Sequence, residues 1–175
     1  MGMYVYQVCK GMKLLAEGVD DLGWWIDPKT GRRLENATYI SDNEEARRGY
    51  APHELKGSSI YTYELRLEYS LELGCQGRDW HDVLAAMVGF DRDNPDAYPA
   101  DGPFVELLHN NYSMATFGPS AARKLVADFD AWNDRASKPQ ESRYDDEFYL
   151  TYWGLRACFA HAATNGVVRC HWQMP

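Results

Sequence analysis

The chain has 175 residues, of which 45% are apolar, 14% aromatic and 25% charged. That length suits a single domain, 1–175, around one core, and that composition excludes wholesale disorder because enough apolar surface exists to offset the entropy of ordering. The 26 acidic residues against 18 Lys and Arg leave a formal charge of -8, which argues against nucleic acid or an anionic membrane surface as a direct partner.

Tyr4, Tyr6 and Val8 alternate with Val5, Gln7 and Cys9, which predicts a short opening strand. Lys10 to Gly18 reads as a short helix. Asp27-Pro28-Lys29-Thr30-Gly31 predicts a turn, since Pro presets φ and Gly accepts a positive φ, and a strand resumes at Leu34 to Ile40. Ser41 to Gly49 reads as a short exposed helix before Pro52.

Ile60 to Leu73 carries the clearest pattern in the chain. Tyr61, Tyr63, Leu65, Leu67, Tyr69, Leu71 and Leu73 share one parity, and Thr62, Glu64, Arg66, Glu68, Ser70 and Glu72 share the other. A period of two sets all the apolar side chains on one face of a strand, whereas a helix would scatter them around its circumference. Such a strand belongs to an antiparallel sheet with one solvent-exposed face, the other face being covered by amphipathic helices, so the expected class is α+β. At about 3.3 Å per residue the strand would exceed roughly 40 Å, so a bend, a bulge or an early end is expected.

Helices follow. Asp79 is placed to cap Trp80 to Val88, where Trp80, Val83, Leu84, Met87 and Val88 recur at helical spacing and Gly89 stops the run. The stretch Asp82 to Asp101 reads as a solvated acidic loop. Pro103 to His109 predicts a further short helix. Gly118-Pro119 sets Pro at a first helical position, ahead of a stripe of Leu125, Val126, Phe129 and Trp132. A last helix starts near Tyr144, its acidic first turn matched to the helix dipole, with Phe148, Tyr152, Leu155, Phe159 and Ala162 on one side and Asn165-Gly166 at its end. Val167 to Trp172 predicts a closing strand.

No apolar run of 18 residues occurs and the first residues lack a basic segment followed by an apolar one, so neither a membrane span nor a signal peptide is expected. Cys9, Cys75, Cys158 and Cys170 have no framework spacing and read as reduced thiols of a cytoplasmic protein.

Three stretches resemble a family of uncharacterised bacterial and phage-borne proteins of unknown function. They are Gly77-Arg78-Asp79-Trp80-His81-Asp82-Val83-Leu84; Phe104-Val105-Glu106-Leu107-Leu108 with Gly118-Pro119 and Lys124-Leu125-Val126-Ala127-Asp128-Phe129; and the segment from Leu155 to His171. The likeness spans roughly residues 60 to 171 and implies no activity. That family carries an Asp and a Glu two residues apart where this chain has Tyr112 and Met114.

For chemistry, Cys158 and His161 lie one helical turn apart and Cys170 follows on the closing strand, a ligand mixture that suits zinc, although Cys170 and His171 point to opposite faces. Core cysteines are the plainer account, and no cofactor is expected. Asp91-Arg92-Asp93-Asn94-Pro95-Asp96 imitates a calcium loop but lacks its Gly and its closing Glu. No phosphate-cradling glycine motif occurs. Trp24 and Trp25, with the polar row Glu64, Arg66, Glu68 and Glu72, are the residues expected to meet a protein partner or a second copy. The function this predicts is a non-enzymatic protein-interaction module; the alternative is a small hydrolase with His81 or His109 as base.

Overall fold

A computed structural model describes residues 3–18, 26–40, 55–73, 77–109, 114–138 and 145–173. Five strands, β1 (Met3–Glu17), β2 (Ala37–Ile40), β3 (Ser59–Leu73), β4 (Met114–Phe117) and β5 (Gly166–Gln173), form one sheet in the order β2-β3-β1-β5-β4. Every pairing is antiparallel. Among the described residues five α-helices and one 3-10 turn at Pro95–Ala97 accompany it, the α-helices being α1 (Gly77–Val88), α2 (Val105–Leu108), α3 (Pro119–Ala131), α4 (Asn133–Ala136) and α5 (Asp145–Ala162). The α+β architecture expected from the alternation in β3 is therefore present.

The sheet has two different faces. Tyr4, Tyr6 and Val8 of β1, Val168 and Cys170 of β5, and Ala115 and Phe117 of β4 point toward the helices and join Leu84, Leu125, Phe129, Phe148, Tyr152, Leu155 and Phe159 in the main core. Each fully buried side chain of that size contributes about 1.5–3 kcal/mol relative to exposure. The opposite face holds a smaller cluster of Cys9, Ile40, Leu55, Tyr61 and Val167, with Tyr63 and Leu65 against it. Among the described residues no helix packs there, and Gln7, Tyr63, Leu65, Arg169 and His171 are half-buried on it.

The bulge expected from the length of β3 lies opposite Gln7. From Arg66 to Leu71 the strand takes five residue steps while β1 takes two, from Val8 to Tyr6, so β3 holds three extra residues. Ser70 replaces the lost ladder bond: its Oγ accepts from Val8 N at 3.1 Å and donates to Arg66 O at 2.9 Å. An odd excess reverses which face a given parity meets. Because β1 pairs without interruption to β5 from Met3 to Lys10, its own alternation is regular. Leu65 opposite Cys9 therefore lies on the open face, and Leu71 opposite Tyr6 lies on the helix face. The expectation that Tyr61 through Leu73 share one face is corrected: the pattern is continuous in sequence, and the bulge divides it in space.

Lys10 to Gly18, expected as a helix, continues β1 as far as Glu17. Two further bulges account for its irregular pattern, one at Gly11, whose φ of 61° only glycine takes readily, and one between Leu14 and Ala16. Pairing to β3 satisfies the backbone there, so tertiary contact outweighs local helix preference. The turn at Asp27 is present, with Asp27 Oδ1 accepting from Lys29 N at 2.8 Å and Gly31 N donating to Asp27 O at 2.8 Å. The strand that follows is shorter than expected, beginning at Ala37 after a single bridge between Ile26 and Arg33. The helix expected at Ser41 to Gly49 lies outside the described residues.

In the second half α1 begins at Gly77, two residues before Asp79, so Asp79 is a residue of the first turn and not its cap. The first residues of the acidic stretch Asp82 to Asp101 complete α1, and after Gly89 it is loop with one 3-10 turn at Pro95–Ala97. Gly118 and Pro119 open α3 as expected, while α5 ends at Ala162, three residues before Asn165, whose φ of 49° turns the chain into β5. The next residue, Gly166, is required by space: a Cβ there would stand 2.8 Å from Cys9 O and 3.2 Å from Ala162 Cα. Gly166→Ala should destabilise the fold by about 1–3 kcal/mol through overpacking at the joint of α5, β5 and β1, read as a lower urea midpoint with an unchanged slope.

Candidate interaction surface

α5 packs its length against the sheet and α3, burying Phe148, Tyr152, Leu155, Phe159 and Ala162. The Tyr152 hydroxyl donates to Phe129 O at 2.6 Å, satisfying the polar end of a buried ring. The outward side of the same helix is also apolar. Leu150 is 73% exposed and Trp153 43%, and the exposed Ala157 and Ala160 with the half-buried His161 continue the line toward the C-terminus. A globular helix usually turns a charged face to solvent, and one that is apolar on both sides normally has something on each.

The β3 bulge extends this stripe. The Tyr69 ring stacks on the His161 ring at 3.4 Å between centroids, and the Cys158 thiol donates to Tyr69 O at 2.8 Å. Leu71 lies so close to Gly154 that a Cβ there would meet its methyl carbons at 3.2 and 3.3 Å. The bulge also leaves Leu67 68% exposed and Tyr69, beside the helix, 38% exposed. Leu150, Trp153 and Tyr69 thus lie along one side of α5, about 16 Å long from Leu150 to His161 at 1.5 Å per residue. Arg156 borders it: the guanidinium makes two bonds to Asp130, at 2.7 and 3.0 Å, and lies 5.3 Å over the Trp153 ring. The same pair holds the Asp130 carboxyl below its ordinary range.

The residues proposed from sequence take other positions. Trp24 and Trp25 lie outside the described residues. Glu64, Arg66 and Glu68 are joined by ion pairs of 2.8 and 3.9 Å, all solvent-screened. Arg66, opposite Val8, belongs to the helix side of the sheet, whereas Glu72, opposite Val5, belongs to the open side. The bulge therefore separates a row that alternation alone would unite.

The described histidines are dispersed. His81 is sealed in the main core, with Nε2 hydrogen-bonded to the Tyr6 hydroxyl at 2.8 Å and the Tyr4 and Trp80 rings around it. His109 packs against Phe90, and its Nε2 is buried without a hydrogen-bond partner. His161 is stacked outside on Tyr69, and His171 lies on the open sheet face, where burial and then Arg169 hold its imidazole below the usual histidine range. A general base must reach the proton it takes, and the core position of His81 shuts it away from solvent.

Cys158 points under β3 and Cys170 toward Tyr6, while His161 stacks outside, so the three zinc candidates do not converge. Among the described residues no group of three His, Cys, Asp or Glu is placed to hold a metal ion. No described helix is long and apolar enough to cross a membrane. No family model, curated protein or solved structure matches the chain.

A second polar group serves the fold. Lys124 Nζ donates to Glu106 Oε2 and Asp128 Oδ2, each at 2.9 Å, and to Gly102 O, while Asp128 Oδ2 also accepts from Phe104 N at 2.8 Å. Phe104 has φ 56° and a fully buried ring, so these bonds hold a strained backbone in place. Asp128→Ala, which strips Phe104 N and Lys124 of a shared acceptor, should cost about 1–3 kcal/mol in urea unfolding.

Burial pushes the Cys9, Cys158 and Cys170 thiols up to about 12. At pH 8 the reactive thiolate is then roughly one part in ten thousand at each. These three should resist maleimide labelling in the folded protein and react promptly in urea, as counted by intact mass.

Proposed function

We propose that this protein is a non-enzymatic protein-interaction module and that its contact surface is the outward stripe of α5 with the β3 bulge. The observation that carries the reading is the exposure of Leu150 and Trp153 along α5, with Tyr69 of the bulge stacked on His161 of the same helix. Interfaces concentrate aromatic and aliphatic side chains at a centre poor in charge, and contiguous exposed apolar surface on a soluble fold marks such sites. Trp153 is suited to be the anchor, since large aromatics dominate interface energetics, and the Arg156 to Asp130 pair supplies a polar rim.

The likeness to uncharacterised bacterial and phage-borne proteins supports a bacterial setting for this activity, and the free thiols Cys9, Cys158 and Cys170 support a reducing, cytoplasmic one. The acidic balance of the chain supports protein over nucleic acid as the partner.

Leu150→Glu and Trp153→Ala should leave the circular dichroism spectrum intact and stability within about 0.5–1 kcal/mol, because both side chains are solvent-facing. Immobilised wild-type protein should bind either itself or a protein of its source organism, and both variants should weaken that binding roughly tenfold or more. A wild type that binds nothing, itself included, would refute the reading.

A further inference from the structure

We infer that the open face of the sheet holds a binding site for a small molecule that carries a carboxylate on an apolar body, with Arg169 as its anchor. The inference is independent of the α5 surface, which lies on the helix side of the sheet.

Arg169 of β5 stands directly between Gln7 of β1 and Thr116 of β4. Directly paired residues share a face, so the three side chains form one row across strands about 4.8 Å apart. Tyr63 reaches the same place from β3: its hydroxyl accepts from Arg169 Nη1 at 2.9 Å, and Arg169 Cζ lies 5.7 Å from the centre of its ring. All four side chains are half-buried. The adjoining row on this face is Leu65, Cys9 and Val167, which is apolar.

Among the described residues this group has donors without an acceptor. A guanidinium only donates, in a planar fork that matches the two oxygens of a carboxylate. Arg169 directs one N–H to the Tyr63 oxygen, and no described carboxylate pairs with it. Tyr63 accepts that bond, so its own O–H has no protein acceptor, and burial raises the phenol above its ordinary range although Arg169 acts the other way, which keeps the proton in place. Other half-buried cations of the chain do meet carboxylates: Lys124 meets Glu106 and Asp128, and Arg156 meets Asp130. Glu72 shares the open face but stands in a different row, with Val5 between it and His171.

The charge of the site selects the ligand. Arg169 supplies one positive charge, and His171, two residues along β5 on the same face, adds none at neutral pH because burial and Arg169 hold its imidazole below the usual histidine range. A monoanion balances that charge and a phosphate dianion exceeds it. The row of Leu65, Cys9 and Val167 beside the Tyr63 ring suits a flat apolar body attached to the carboxylate.

Benzoate is the probe, titrated into the isotope-labelled full chain and followed by the amide resonances of Gln7, Thr116, Arg169 and His171. These should shift saturably, with a Kd of about 1 mM or below, while benzyl alcohol and inorganic phosphate should each bind roughly tenfold more weakly or not at all. Arg169→Gln should weaken benzoate roughly tenfold or more, and Arg169→Lys, which keeps the charge and loses the fork, about threefold or more. Tyr63→Phe removes only the hydroxyl, should weaken benzoate about threefold, and decides the matter should the Arg169 variants fail to fold. No saturable shift with benzoate overturns the inference, as does phosphate binding as tightly as benzoate, or folded Arg169→Gln or Tyr63→Phe protein that binds benzoate as the wild type does. Leu150→Glu should bind benzoate unchanged, which keeps this test separate from that of the α5 surface.

Discussion

Three extra residues in β3 decide where most of this molecule's surface goes. A strand that kept perfect register with β1 would send Leu71 and Leu73 to the same face as Tyr61 and Leu65, and the main core would lose its wall beside α5. By absorbing an odd excess opposite Gln7, the bulge turns Leu71 and Leu73 toward the helices and leaves Tyr61, Tyr63 and Leu65 to the smaller cluster on the open face. The cost is a gap in the ladder, which the Ser70 hydroxyl bridges between Val8 N and Arg66 O. The same excursion sets Tyr69 beside α5, stacked on His161, and leaves Leu67 exposed, so one local irregularity both completes the core and adds to the exposed apolar surface.

α5 is the element that answers to both. Its inner residues interlock with α3, where Phe129 contacts Tyr152 and Phe159 through ring packing, and its C-terminal end is held by Lys10 on the last carbonyls. Lys10 comes from the central strand, so the end of the helix is tied to the middle of the sheet and its outward side has little freedom to rotate away. Gly154 and Gly166 let the backbone approach β3 and β1 closely at two points along this contact. An apolar face held rigidly at the surface loses little conformational entropy on docking, which favours association.

Burial also sorts the chemistry-bearing side chains. Tyr6, His81, Cys158 and Cys170 draw together on the helix side of the sheet, which looks like a reactive cluster until its surroundings are considered. Burial raises the Tyr6 hydroxyl and the thiols far above neutral pH, so each stays protonated and serves as a packing group with a satisfied polar end. The Lys124, Glu106 and Asp128 group performs a comparable task at the loop before α2, anchoring Phe104 in its left-handed backbone.

The sequence by itself determined the class of fold, most element types and the inner face of α5, because these follow from local periodicity and from turn chemistry at Asp27, Gly89, Gly118 and Asn165. It held one further signal that alternation in β3 overshadowed: after Glu147 the only charged residue of α5 before its end is Arg156, so Leu150 and Trp153 leave the helix apolar on both sides. Only the tertiary structure decided which face each half of β3 meets, that Lys10 to Glu17 extends a strand, and that Tyr69 adjoins α5. The physical reason is that a period of two says that side chains alternate but not to which side. The choice is made by the register against β1, and three unpaired residues are enough to reverse it.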